Sequence, residues 1–122
     1  MDRIFGQIEI ELADKIKSGK TLLVRDEKTA SGRVHVGSMR ALVLHAAIAE
    51  RLGEAGIPHQ FKFEINDMDP MDGLPVYLDK AVYAKEMGKP LFAIPSPDGK
   101  AKNYAEYFAA EYIEAIKEAG FS

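Results

Sequence analysis

Ile4, Ile8, Leu12 and Ile16 recur at every fourth position, with Phe5 and Ile10 beside them, which is the spacing of one helix face. A helix is expected from about Arg3 to Lys17, closed by Ser18-Gly19, because glycine accepts the left-handed turn past a helix end. Leu22-Leu23-Val24 then forms a short continuous apolar run after Thr21. Apolarity without alternation predicts a strand covered on both faces, as in parallel α/β sheets. The polar stretch from Asp26 to Val36 reads as a loop. From Gly37 a second helix is expected, burying Ala41, Leu42, His45, Ile48, Ala49 and Leu52 and stopped by Gly53 and Gly56-Ile57-Pro58. Phe61, Phe63 and Ile65 alternate with Gln60, Lys62 and Glu64, predicting a second strand from His59 to Ile65 with one buried face.

Strand, glycine-bearing loop, helix and strand in that order make one βαβ unit. After it come a turn-rich segment from Asn66 to Pro75, a weakly helical piece from Val76 to Met87 and a proline-rich loop from Ile94 to Gly99. Asn103, with Glu106 at the third residue beyond it, caps a last helix. Its apolar stripe is Ala105, Phe108, Ala109, Tyr112, Ile113 and Ile116, and it ends at Gly120. Glu106, Glu111, Glu114, Lys117 and Glu118 form its solvated face, while Tyr104, Tyr107 and Phe108 are expected to pack.

Composition narrows the chemistry. The chain has 122 residues, no cysteine and a formal charge of −3. Disulfides, thiolate zinc sites and cysteine nucleophiles are excluded together. An acidic balance does not suit a small domain that clamps nucleic acid by counterion release alone. No apolar run nears the ~20 residues that span a bilayer. The first residues, Met1-Asp2-Arg3-Ile4-Phe5-Gly6, do not read as a signal peptide, so a cytoplasmic location is expected.

Ligands of open α/β sheets bind where strands end and the following helix begins. That junction here is Thr29-Ala30-Ser31-Gly32-Arg33-Val34-His35-Val36-Gly37-Ser38. Exposed N–H groups and partial positive charge at a helix start seat phosphate, and Gly32 and Gly37 permit close backbone approach. A Walker loop fails because Ser38 stands where lysine is needed, and the three-glycine dinucleotide fingerprint is absent. Asn66-Asp67-Met68-Asp69-Pro70-Met71-Asp72-Gly73 fails as a calcium loop, since Met71 is no ligand and the glycine falls one place late. Asp67 and Asp69 either face the nucleotide cleft or cap backbone N–H groups. Arg40, one turn into the second helix, either reaches ligand or stands in solvent. His45 is expected to pack in the core, and His59 to be structural or exposed.

Ser31-Gly32-x-x-His35-x-Gly37-Ser38 resembles the HIGH-type signature of class I aminoacyl-tRNA synthetases and related nucleotidyltransferases. The resemblance sharpens through Val34 to Arg40, Asn66 to Pro75, Met87-Gly88-Lys89-Pro90-Leu91, Ile94 to Gly99 and Tyr104 to Phe108. In series these blocks are similar to class I lysyl-tRNA synthetases. The resemblance implies a Rossmann-like, HUP-type α/β fold, with residues 1–122 as the N-terminal half of the catalytic, nucleotide-binding domain. It implies ATP-dependent activation of lysine to lysyl-adenylate and transfer to tRNA(Lys). His35 would be catalytic, with Ser31, Gly32, His35, Gly37 and Ser38 holding ATP, a substrate that comes with Mg2+, and no residue of the chain assigned to a metal. Thr29 would meet the lysine amino group, with Arg40, Asp67 and Asp69 at the site edge.

The lead-in departs from the family pattern, with Glu27 for glycine, Lys28 for a hydrophobic residue and Ala30 for proline. The lysine-rich KMSKS-like loop, the zinc-binding insert and the anticodon-reading domain are not found in these residues. A two-stranded ribbon also leaves both edges unpaired. The chain is therefore expected to be a part that needs a C-terminal half, with no metal site of its own. The alternatives are a standalone ATP- or adenylate-binding module and another HIGH-type nucleotidyltransferase.

Overall fold

The computed structural model describes residues 2–121. Its elements run α1 (Asp2–Glu11), α2 (Ala13–Lys17), β1 (Leu22–Thr29), α3 (Val36–Glu54), β2 (His59–Asn66), α4 (Lys80–Tyr83) and α5 (Tyr104–Glu118). Short 3-10 turns at Ala84–Glu86 and Leu91–Ala93 precede α5. The strands pair in one two-stranded sheet. Leu22 N–H donates to Pro58 O at 2.8 Å and Ala30 N–H to Asn66 O at 3.2 Å, the same offset at both ends, as parallel strands require. This is the α/β, strand–helix–strand order of a Rossmann-like fold.

The chain divides into two compact units, Met1–Asp26 with Val36–Glu64, and Glu27–His35 with Ile65–Ser122. In the first, Phe5, Leu22, Val24, Ile48, Ala49, Leu52 and Ile57 form the core, with Ile8, Leu12, Ile16 and Phe61 against it. The single helix expected over residues 3–17 breaks at Leu12, whose φ of −106° and ψ of 13° leave helical geometry. Leu12 N–H still reaches Ile8 O, and Ile16 N–H reaches Leu12 O, each at 2.9 Å. The apolar stripe therefore keeps its face across the break. Ile4, expected at the head of that stripe, is instead exposed, as is Ile10, and Phe5 takes the buried place.

Two strand expectations are corrected. β1 does not stop at Val24 but continues through the polar residues to Thr29, so the segment from Asp26 is not all loop. Cross-strand partners make this possible, Arg25 with Glu64 in the first unit and Glu27 with Asn66 in the second. Nor is β1 covered on both faces: Leu22 and Val24 are buried, but Leu23 between them is 57% exposed. The helices that cover this strand pack on its Leu22 and Val24 face, and the pleat turns Leu23 the other way. In β2 the expected alternation holds, with Phe61, Phe63 and Ile65 partly buried.

α3 buries Leu42, Ala46, Ile48, Ala49 and Leu52, while Ala41 is exposed. His45 is not a core residue: its side chain is 33% exposed, with Nδ1 2.9 Å from Ala41 O and 3.5 Å from Asp26 Oδ2. An imidazole at the rim of the stripe can satisfy its nitrogen locally and leave packing to Leu42 and Ala49. His59 is half-buried, with Nδ1 3.0 Å from Ile57 O.

The second unit has its own core of Ala30, Met71, Tyr83, Leu91, Ile94, Tyr104, Ala105 and Phe108. Its rings meet at angles: Tyr83 and Tyr104 centroids lie 5.9 Å apart, and those of Tyr104 and Phe108 4.7 Å apart. The blocks Asp67–Met71 and Gly88–Phe92, separate in sequence, lie side by side here. Pro70 and Pro90 form an antiparallel bridge. Met71 N–H donates to Lys89 O, Gly88 N–H to Met71 O, Leu91 N–H to Asp69 O and Phe92 N–H to Asp67 O, at 2.8–3.0 Å. Gly88 makes the turn at φ 84°, a conformation that disfavours any side chain.

Helix α4 starts only at Lys80, where the Asp79 side chain accepts from Ala81 N–H, so the expected helical piece from Val76 begins as turn. In α5 the Asn103 side chain accepts from Glu106 N–H at 2.8 Å, the expected cap. Tyr104, Ala105, Phe108 and Tyr112 are buried as a stripe, but Ile113 is 44% exposed. Glu111 is also not a solvated residue: its carboxylate accepts from Val34 N–H at 2.8 Å.

Candidate functional site

The residues singled out in the sequence fall in both units. Thr29, Ser31, Gly32, His35, Asp67 and Asp69 belong to the second, and Gly37, Ser38 and Arg40 to the first.

In the second unit, β1 ends at Thr29, whose hydroxyl donates to Asp69 Oδ2 at 2.6 Å. The other Asp69 oxygen accepts from Asn66 Nδ2 at 3.1 Å, and the same amide nitrogen reaches Glu27 Oε1 at 2.9 Å. Asn66 Oδ1 in turn accepts from Met68 N–H and Asp69 N–H, an Asx turn that ends β2. The strand ends are thus locked through their side chains, and Asp69 is a fixed part of that lock. Asp67 differs from it. It is exposed and lines a surface hollow of about 390 Å³ with Met68, Phe92, Lys102, Asn103 and Glu106.

Beyond Thr29 the backbone leaves the sheet, and side chains supply its hydrogen bonds. Ser31 O accepts from the Tyr104 hydroxyl at 2.8 Å. Arg33 N–H donates to the Tyr77 hydroxyl at 2.7 Å, and the Arg33 guanidinium lies 4.5 Å from the centroid of the same ring. Gly32 is glycine for a reason visible here: a β-carbon at that position would run into the Tyr77 hydroxyl. Burial pushes the Tyr104 phenol up, with the nearby Tyr77 and Tyr83 adding to it, so this hydroxyl stays a donor. His35, at the end of the segment, is exposed.

In the first unit, α3 opens at Val36 with no acidic residue in its first turn. Its partial positive charge is therefore not offset by its own side chains. A hollow of about 480 Å³ lies at this end, lined by Val36, Gly37, Met39, Arg40 and Val43. It is apolar apart from Arg40, a lining that suits a flat, weakly polar ring. Ser38 is buried and Arg40 exposed. Among the described residues, no group of three or more His, Cys, Asp or Glu side chains could hold a metal ion.

Tyr77 and Glu111 were not legible as site residues in the sequence. Tyr77 sits in a turn without periodicity, and Glu111 shares its helix with other acidic residues that do face solvent. The one signal was Gly32, whose missing side chain marks a close neighbour without naming it.

Comparison with known proteins agrees with the family resemblance. Residues 3–122 match the family described as tRNA synthetases class I (K). The chain is 35% identical over 106 residues to a lysine–tRNA ligase of Methanosarcina barkeri (strain Fusaro / DSM 804), covering 87% of this chain and 19% of that protein. It is 33% identical over 113 residues to one from Methanocaldococcus jannaschii, covering 93% of this chain and 20% of that protein. With one from Picrophilus torridus the identity is 36% over 86 residues, or 70% of this chain and 17% of the relative. The chain spans about a fifth of the length of these curated relatives.

Proposed function

Because the chain belongs to the class I (K) tRNA synthetase family, we propose that it is the N-terminal half of a lysyl-tRNA synthetase catalytic domain. Its task in this reading is to help activate lysine with ATP and pass it to tRNA(Lys). The observation that supports this most is the segment Ser31–Ser38, which leaves β1 at the carboxyl end of a parallel strand and enters the first turn of α3. Sheets of this kind bind ligands at that position.

The chemistry follows from the residues. Lysine carboxylate attacks the α-phosphorus in line, pyrophosphate leaves, and negative charge develops on the oxygens in the transition state. The His35 imidazole N–H and the α3 N-terminus supply donors and positive potential where that charge grows. The N–H groups and small size of Ser31, Gly32 and Gly37 let phosphate and ribose approach closely, whereas Ser38 is buried and offers them little surface. The apolar hollow beside Gly37 takes the adenine ring, with Arg40 in its lining at the site edge. Thr29 donates its proton to Asp69, so its oxygen lone pairs are left to accept from the lysine ammonium, with the carboxylate charge beside it. Asp67 stands at the site edge. Magnesium in this reading arrives with the ATP phosphates; among the described residues no His, Cys, Asp or Glu cluster is placed to hold a metal ion.

Completion of the reaction calls on a further segment with a KMSKS-like loop and on the parts that grip tRNA. The setting assigned is the cytoplasm; no helix among the described residues is long and apolar enough to cross a membrane.

Amino-acid-dependent exchange between ATP and pyrophosphate tests the proposal, run with the chain alone and with a supplied C-terminal half of a relative. Lysine-dependent exchange in the second arm supports it. Exchange driven by a different carboxylate points to another nucleotidyltransferase. Binding of an adenylate analogue, weakened by His35→Ala but without turnover in either arm, points to a standalone binding module.

A further inference from the structure

The four residues before His35 contain no helix or strand, yet their backbone is held from outside. Tyr104 donates to Ser31 O at 2.8 Å, Tyr77 accepts from Arg33 N–H at 2.7 Å, and Glu111 accepts from Val34 N–H at 2.8 Å. The three side chains come from the turn before α4 and from two places on α5, and all belong to the unit that holds the loop. Both α5 contributors sit on a helix whose core anchors, Phe108 and Tyr112, are buried. The Tyr77 ring packs against Phe108 with centroids 6.2 Å apart. The clamp is thus mounted on rigid packing, and it ends one residue short of His35.

A group that stabilises transition-state charge must be held in place before reaction, because displacement by about 1 Å can cost on the order of a hundredfold in rate. A loop of this kind does not fix its own backbone. We propose that Tyr77 and Glu111 are positioning residues that hold the Arg33–Val34 backbone and thereby set the place of His35. This rests on the role given to His35 above. Neither residue touches the reacting atoms in this scheme; both act through the loop. Tyr104 completes the grip from the other side of Gly32, but its buried ring also serves the core, so it is the poorer probe.

Tyr77→Phe removes one hydroxyl and keeps the ring that packs on Phe108 and under Arg33. Glu111→Gln keeps an oxygen that can accept from Val34 N–H, whereas Glu111→Ala removes it. In the full chain, NMR measures solvent exchange of the Arg33 and Val34 amides, with thermal unfolding as the control for folding. Exchange at Arg33 in Tyr77→Phe, and at Val34 in Glu111→Ala, is expected to quicken by about tenfold, with Glu111→Gln near the parent. With a C-terminal half supplied, Tyr77→Phe and Glu111→Ala should lose about tenfold in kcat for lysine-dependent exchange while KM for ATP stays within about twofold. Parental amide exchange in both variants, or a Glu111→Gln as impaired as Glu111→Ala, overturns the proposal. If the parent shows no lysine-dependent turnover, the activation reading fails, and the amide rates alone decide whether the clamp holds the loop.

Discussion

Thr29 closes β1 by donating its hydroxyl proton to Asp69, 2.6 Å away in the turn that follows β2. Two residues predicted as separate site elements are therefore one unit, and its stability can be measured. Hydrogen bonds to charged groups contribute about 1.5–3 kcal/mol. Thr29→Val, which keeps the shape and removes the donor, is expected to cost about 1.5 kcal/mol in urea unfolding. Asp69→Ala should cost more, about 2–3 kcal/mol, because it also removes one of the two acceptors of the Asn66 amide nitrogen. An Asp69→Ala no worse than Thr29→Val would show that Asp69 is not the hub.

Gly32→Ala places a methyl group against the Tyr77 hydroxyl. Overpacking of this sort typically costs about 1–3 kcal/mol. The atom in the way is the hydroxyl itself, so adding Tyr77→Phe should restore part of the loss, and the double variant should melt above Gly32→Ala alone. Two strictly additive destabilisations would mean that the glycine is needed for another reason.

Neighbouring leucines in β1 should behave differently. Leu22 is 7% exposed and Leu23 57%. Leu22→Ala is expected to cost about 2–5 kcal/mol, as truncations in cores do, and Leu23→Ala about 0.5 kcal/mol or less. Denaturant unfolding of the two variants reads this directly. Equal losses would indicate that Leu23 is covered in solution.

The Asp98 carboxyl is held down to about 2, first by the Ser96 hydroxyl and then by the N–H groups of Lys100 and Ala101. A folded-state pKa below the ordinary value favours the folded chain above about pH 4, and that contribution is lost as pH falls through about 2. Carboxyl carbon shifts followed by NMR should titrate near that pH. Ser96→Ala should move the midpoint up toward the ordinary aspartate range. A parent midpoint near 4 would mean that the loop is not closed around Asp98.

Much of the fold was legible because short-range patterns carry it. The alternation Phe61, Phe63, Ile65 marks β2, and Asn103 with Glu106 marks the start of α5, since both depend on neighbours a few residues away. The junction from Thr29 to Ser38 was legible for the same reason. The outer half of β1 was not. Arg25 and Glu27 look like loop residues until Glu64 and Asn66 stand beside them. His45 and Glu111 were misplaced for a related reason: a position on a helical wheel does not say which acceptor or donor lies nearby.

The sequence by itself determined the order of elements, the parallel α/β class and the family, through motifs whose spacing is covalent. Only tertiary structure decided that Thr29 donates a hydrogen bond to Asp69, that Leu23 is open while Leu22 is closed, and that Tyr77 and Glu111 hold the backbone before His35. Each of these depends on hydrogen bonds or packing between residues far apart along the chain. Periodicity reports the face a residue occupies, and it takes the folded chain to supply the partner.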